Sequence, residues 1–176
     1  MLKGIQVFLL VSMGFVPLML HWSISSYFGL ILGSVFLFII IIKELINRNI
    51  TLMTKTLSIY FIFANILYFS FQIDQVITNR HLHTYALLGI MSLYSLLVKK
   101  PFTMDSAKDG YDKGFDSSPL FIEVNMIISG IWCATYVAST ILRAIGSSSI
   151  FIIIPNILIG LAITCSIIIP SLLPET

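Results

Sequence analysis

Three histidines and one carboxylate are the side chains of this chain best suited to hold a metal. His21, His81, His83 and Asp74 offer the imidazole and carboxylate ligands that divalent transition metals take. His81-x-His83 places two imidazoles on one short segment, while His21 and Asp74 come from other parts of the chain. His-x-His recurs in loops, so solvated histidines at a membrane interface explain the spacing more simply. No cofactor is expected. Glu123 is a different kind of suspect, because it lies inside an apolar run, where ionisable groups are functional candidates by default. It also sits about one turn after Pro119, where a negative charge suits a helix N-terminus. There it can reach the headgroups or pair with Lys99 or Lys100, and anchoring is preferred over proton or substrate handling. Paired acids, a Ser/His arrangement and a Gly-rich phosphate loop are all missing from the sequence, so no enzymatic activity is expected.

The elements that would position these groups are hydrophobic helices. The chain has 176 residues, of which 57% are hydrophobic and 10% charged. Soluble domains carry about 25% charged residues, so the solvent for most of this surface must be lipid. The mean hydropathy of +0.99 says the same. Six apolar runs stand out, at about 5–22, 25–42, 56–73, 84–98, 119–142 and 149–169, with a polar loop at 99–118. The predicted fold is an all-α polytopic bundle, one transmembrane domain over 1–176, with six spans and a five-span count as the alternative. Lys3 precedes the first run as in a signal peptide, but no small-residue cleavage site follows, so it reads as a retained helix. Gly29 and Gly33, in step with Ser25, form one small-residue face, and Gly130, Ala134 and Ala138 form another. In lipid such faces let backbones approach closely. Packing within the chain is the preferred use and a homo-oligomer seam the other. Cys133 and Cys165 lie in apolar runs with no Cys-x-x-Cys, which indicates neither a redox pair nor a zinc site.

Polar residues inside the runs predict an interior. Asn65 shares a helix face with Phe61, Tyr68 and Gln72. Asn125, Ser129, Trp132 and Tyr136 form a stripe on the fifth run, and Pro155-Asn156 interrupts the sixth. An amide without a partner in hydrocarbon costs roughly 4–8 kcal/mol on the water-to-cyclohexane scale. Asn65, Ser129, Tyr136 and Asn156 are therefore expected to face one another, with Glu123 at the cytoplasmic mouth. Orientation follows from charge. With six spans, Lys3, Lys43, Arg48, Lys55, Lys99, Lys100, Lys108 and Lys113 fall on one side, and Arg80 and Arg143 on the other. The positive-inside rule then puts both termini in the cytoplasm. A net charge of +2 gives no reason to expect nucleic acid.

Lys99-Lys100-Pro101, a polar loop, and then Pro119-x-Phe121-x-x-x-Asn125 resemble the bacterial intracellular septation protein A family. Phe15-Val16-Pro17-Leu18 is similar to that family's N-terminal segment, and length and hydropathy layout agree over nearly the whole chain. Phe121 stands where tryptophan is expected, and the loop after Pro101 differs. The resemblance implies a small bacterial inner-membrane protein linked to cell division and envelope synthesis. Its partners would be the lipid bilayer and other membrane proteins of division or envelope synthesis. The family supplies no catalytic residues to carry over.

Overall fold

The computed structural model describes residues 13–24, 26–108, 117–146 and 148–171. These residues are mainly helical, with no strand among them. Helix α1 (Val16–Ser23) opens on Pro17, whose missing N–H costs nothing in a first turn. Helix α2 (Tyr27–Ile46) follows. Helix α3 (Leu52–Asn65) starts where the Thr51 hydroxyl accepts from the Thr54 N–H, and it widens into a π-helical turn at Ile66–Ser70. A short helix α4 (Gln75–Thr78) leads to α5 (Arg80–Leu97), and a second short helix, α6 (Met104–Ala107), lies in the polar loop. Helix α7 (Pro119–Ile145) is capped by Ser118, whose hydroxyl accepts from the Phe121 N–H, and begins on Pro119. Helix α8 (Ser149–Ser171) keeps Pro155 and Pro170 inside it.

Four of these helical stretches are long and apolar enough to cross a membrane, namely Tyr27–Ile46, Leu52–Ser70, Pro119–Ile145 and Ser149–Pro170. The six expected runs thus yield four qualifying spans. The upstream part of the first run lies outside the described residues, and α1 is eight residues long. Helix α5 has the length but opens on Arg80, His81, His83 and Thr84 and carries Ser92 and Ser95 farther on. The third run begins four residues earlier than expected, at Leu52, because Thr51 supplies the cap.

Helices α5 and α7 form the most extensive pair. Around them α1 packs on α2, α2 on α3, α3 and α1 on α5, and α8 on α7. The apolar stretch of α7 is 50% buried and that of α8 is 11% buried, so α7 is central and α8 peripheral. Leu18, Leu30, Leu57 and Leu88 are fully enclosed between these helices. Phe28, Phe38, Ile39, Ile62, Phe63, Ile90, Ile153 and Ile157 point outward as an apolar belt. Such a belt on helices of membrane length is the surface lipid would cover.

The two small-residue faces are used differently. A Cβ on Gly33 would meet the Phe61 ring at 2.6 Å and the Pro17 carbonyl oxygen at 2.7 Å. One on Gly29 would run into the Ile24 carbonyl oxygen. These two glycines let α1 and its connection fold back on α2. A Cβ on Gly130 would meet nothing within 4 Å, and Ala134 is exposed. For Gly130 and Ala134 the expected packing within the chain is corrected accordingly, while Ala138 is half-buried; the buried face of α7 runs through Asn125, Ser129, Trp132 and Tyr136.

Candidate functional site

Polar side chains collect at both ends of the bundle. The first collection lies where α2 turns into α3 and the polar loop meets α7, here called the Lys99 end. Lys99 adopts φ 54°, as do Arg48 and Gln72, each in the left-handed region just after a helix. The Lys100 N–H reaches back to the Ser95 carbonyl at 2.9 Å and the Lys99 N–H to Leu96 at 3.0 Å, which closes the last turn of α5. The chain reverses there and drives Pro101, Phe102 and Thr103 into the bundle. The Thr103 hydroxyl donates to Asn125 Oδ1 at 2.8 Å, and Ser129 Oγ lies 3.0 Å from Thr103 Oγ1 and can donate to it. Asn125 Nδ2 donates to the Phe121 carbonyl at 2.9 Å. Asn125 and Ser129 are thus paired with the loop. Close by, Glu44 accepts from the Thr51 N–H at 2.9 Å, the Thr51 hydroxyl at 3.1 Å and the Thr54 hydroxyl at 2.8 Å. A carboxylate there also answers the positive end of the α3 dipole. Asp105 Oδ2 lies 3.4 Å from the Leu52 N–H and Oδ1 lies 3.7 Å from the Lys108 ammonium.

The second collection lies where α5 begins and α7 ends, the Arg80 end. Arg80 donates from Nη1 to the Ile77 carbonyl at 2.9 Å and from Nη2 to the Trp22 carbonyl at 3.1 Å. Trp22 in turn donates from its indole to Thr84 Oγ1 at 2.9 Å, and Thr84 donates to the Arg80 carbonyl at 2.7 Å. The Trp22 ring lies against His81 and Tyr85, with centroids 5.4 Å and 5.2 Å away. Deeper in, His21 Nε2 is 3.0 Å from the Tyr60 hydroxyl. Burial holds His81 down to about 4, and the charges of Arg80 and then Arg143 add to the effect. The Arg80 guanidinium is also held below its ordinary value, first by burial, with Arg143 opposing its charge. Among the described residues four buried side-chain polar atoms lack a hydrogen-bond partner: His21 Nδ1, Arg80 Nε, Tyr136 Oη and Ser139 Oγ. They lie on α1, at the start of α5 and on the later half of α7.

The interior expected from the sequence does not assemble as one site. Asn65 donates to Ser34 Oγ at 2.9 Å and to the Phe61 carbonyl at 2.7 Å, so its partners are α2 and its own helix. Asn156 is exposed and donates to the Ile152 carbonyl of its own helix at 3.0 Å. A residue one turn back satisfies the amide locally, and α8 touches the bundle along too little of its surface to draw Asn156 inward. Glu123 is exposed at the Lys99 end, beside the buried Val124 and Asn125 rather than at the mouth of an interior. The metal candidates do not converge either. All four lie toward the Arg80 end, but His83 and Asp74 are exposed while His21 is buried and paired with Tyr60. Among the described residues no group of three His, Cys, Asp or Glu side chains could hold a metal ion. The Arg80 charge acts on both His21 and His81 and opposes a cation beside them.

Several partners carried no signal in the sequence. Thr103 sits in a polar loop among other polar residues. Ser34 and Ser166, which accepts from the Trp132 indole at 3.0 Å, are single serines in apolar runs. Arg80 carried a faint signal, as one of two cations on the side poor in them. Comparison with known proteins adds no relative, since no family model, curated protein or solved structure matches the chain.

Proposed function

We propose that the chain is a non-enzymatic, six-span inner-membrane protein of a bacterial cell, with both termini in the cytoplasm. It would serve division, septation or envelope maintenance through contacts with lipid and with other membrane proteins of those processes, and it could form a homo-oligomer. The resemblance to the intracellular septation protein A family suggests this role. The observation that carries it is the bond from Thr103 to Asn125, 2.8 Å long. It joins the two halves of the pattern on which the resemblance rests, the Lys99-Lys100-Pro101 turn and the Pro119 to Asn125 helix start. With the loop fixed by buried Phe102 and Thr103, Lys99, Lys100 and Glu123 stand exposed on a built surface. Such a surface supports recognition by contact. Crosslinking and pulldown from native membranes, comparing wild type with K99Q/K100Q, tests the reading. Recovery of division or wall-synthesis proteins by wild type and their loss in the variant supports it. Equal recovery, or none, counts against it.

The runner-up reading is a small transporter or channel. The unpartnered buried atoms on α1, α5 and α7 favour it, because a permeation route needs polar groups not already committed to one another. Saturable uptake of an ion or metabolite into liposomes holding the pure protein would replace the first reading with this one.

A further inference from the structure

We propose that the Arg80 end is a binding site for a phosphate-type anion, held by Arg80 and Arg143 with His21 and His81 as hydrogen-bonding groups. This is independent of the role proposed above.

A guanidinium donates from each of its nitrogens. In Arg80 two of them are spent on backbone carbonyls, of Ile77 and Trp22, while Nε is buried without a partner. Carbonyl dipoles leave the net charge in place. Arg80 as a whole is part-buried, and a charge partly withdrawn from water with no partner is normally answered by an opposite one. At this end the described carboxylate is Asp74, which is exposed and forms no ion pair. Arg143, half-buried at the end of α7, makes no hydrogen bond or ion pair among the described residues. It lies near enough to Arg80 and His81 for its charge to act on both. Two arginines whose charges act on one another, with no carboxylate paired to either among the described residues, are a site lacking its counter-charge.

The surroundings fit an anion with several oxygens. Arginine favours carboxylate and phosphate over compact anions because its donors form a planar fork. His21 is fully buried, and its Nδ1 has no partner while Nε2 is occupied by Tyr60. The positive end of α5 starts at Arg80 itself and adds to the attraction. Trp22 walls one side, and an indole at a membrane interface faces headgroups. A phospholipid headgroup and a free phosphate offer the same oxygens, so the site is assigned to the chemistry they share.

The test uses the full chain purified in neutral detergent. Phosphatidylglycerol, phosphatidylcholine and inorganic phosphate are titrated separately, with native mass spectrometry for retained lipid and the unfolding midpoint for both probes. Wild type is expected to retain and be stabilised by phosphatidylglycerol over phosphatidylcholine, by inorganic phosphate, or by both. Phosphatidylglycerol alone identifies a lipid source, and inorganic phosphate alone a soluble one. Arg143→Gln should weaken the effective probe about tenfold, the loss of one charge-assisted hydrogen bond. Arg80→Lys should weaken it too, because it keeps the charge and loses the fork. The Arg143 side chain makes no hydrogen bond or ion pair among the described residues, so its variant remains informative if changes at Arg80 impair folding. Lys99→Gln with Lys100→Gln, at the opposite end, should leave binding unchanged. The proposal fails if neither anion is preferred, if Arg143→Gln binds as wild type does, or if the lysine variant loses as much.

Discussion

The two ends of the bundle solve the same problem in opposite ways. At the Lys99 end every described polar group that enters the protein meets one of opposite character. Glu44 meets the donors of Thr51 and Thr54, and Thr103 meets Asn125 and Ser129. At the Arg80 end cationic and neutral donors accumulate, and Arg80 Nε and His21 Nδ1 stay unmatched, as do Tyr136 Oη and Ser139 Oγ farther along α7. A closed set of hydrogen bonds stabilises the fold and fixes a surface. An open set costs stability and is retained where something else completes it. The contrast separates a structural end from a binding end without reference to any relative.

The largest effect should come from the packing that holds α1, and with it His21, against α2. Gly33→Ala places a methyl group against the Phe61 ring and a Pro17 carbonyl that cannot swing aside. Overpacking of this kind costs up to about 3 kcal/mol. Gly130→Ala makes the same chemical change in open space and should instead stabilise slightly, by up to about 1 kcal/mol of helix propensity. Unfolding in mixed micelles measures both. Equal effects would mean that α1 is not seated on α2 as described.

Next comes the closed end. Asn125→Ala removes the acceptor of Thr103 and leaves a buried hydroxyl with less to bond, at a cost of about 2 kcal/mol. Proteolysis of the 99–118 loop should quicken in the same variant, since Thr103 ties that loop to α7. A variant as stable and as resistant as wild type would show that the end is not closed by this bond.

The sequence made the helices legible because their causes are local. Apolar run length, Pro119 at a first turn and Ser118 before it place α7 with its start correct to the residue. The glycine pair at Gly29 and Gly33 was legible too, since spacing by four puts both on one face. The convergence of Asn65 and Asn156 was not. The argument from hydrocarbon required each amide to find a partner, but it could not tell that a single serine, Ser34, or the carbonyl one turn back, Ile152, would suffice. Arg80 was hidden for a related reason. Its importance lies in what is absent around it, and neighbours from α1 and α7 become countable only once the chain is folded.

A smaller effect separates two tyrosines. Tyr60→Phe removes the partner of His21 Nε2 and should destabilise by about 1 kcal/mol. Tyr136→Phe removes a hydroxyl that is fully buried and unmatched, so it should be neutral or stabilising by about the same amount. If Tyr136→Phe is the more damaging change in the same unfolding assay, the Arg80 end is more closed than the contrast allows.

The smallest expected effect is on pH dependence. Burial, helped by Arg80 and Arg143, holds His81 at about 4, against an ordinary value of 6.5. Above pH 6.5 the imidazole is neutral in both folded and unfolded chains and takes no proton in either. Between 6.5 and about 4 the unfolded chain takes up a proton that the folded one refuses. Stability should therefore fall as pH drops through that window and level off below it. His81→Asn has nothing to titrate and should show a shallower fall between pH 7 and pH 5. His81 is only half-buried, so solvent screens part of the effect and the difference in slope should be modest. A bound phosphate-type anion would supply the missing negative charge and ease protonation, so saturating the site should flatten the wild-type profile toward that of the variant. Parallel slopes for wild type and His81→Asn would show that Arg80 and Arg143 do not press on this imidazole, and the cationic end would lose one of its members.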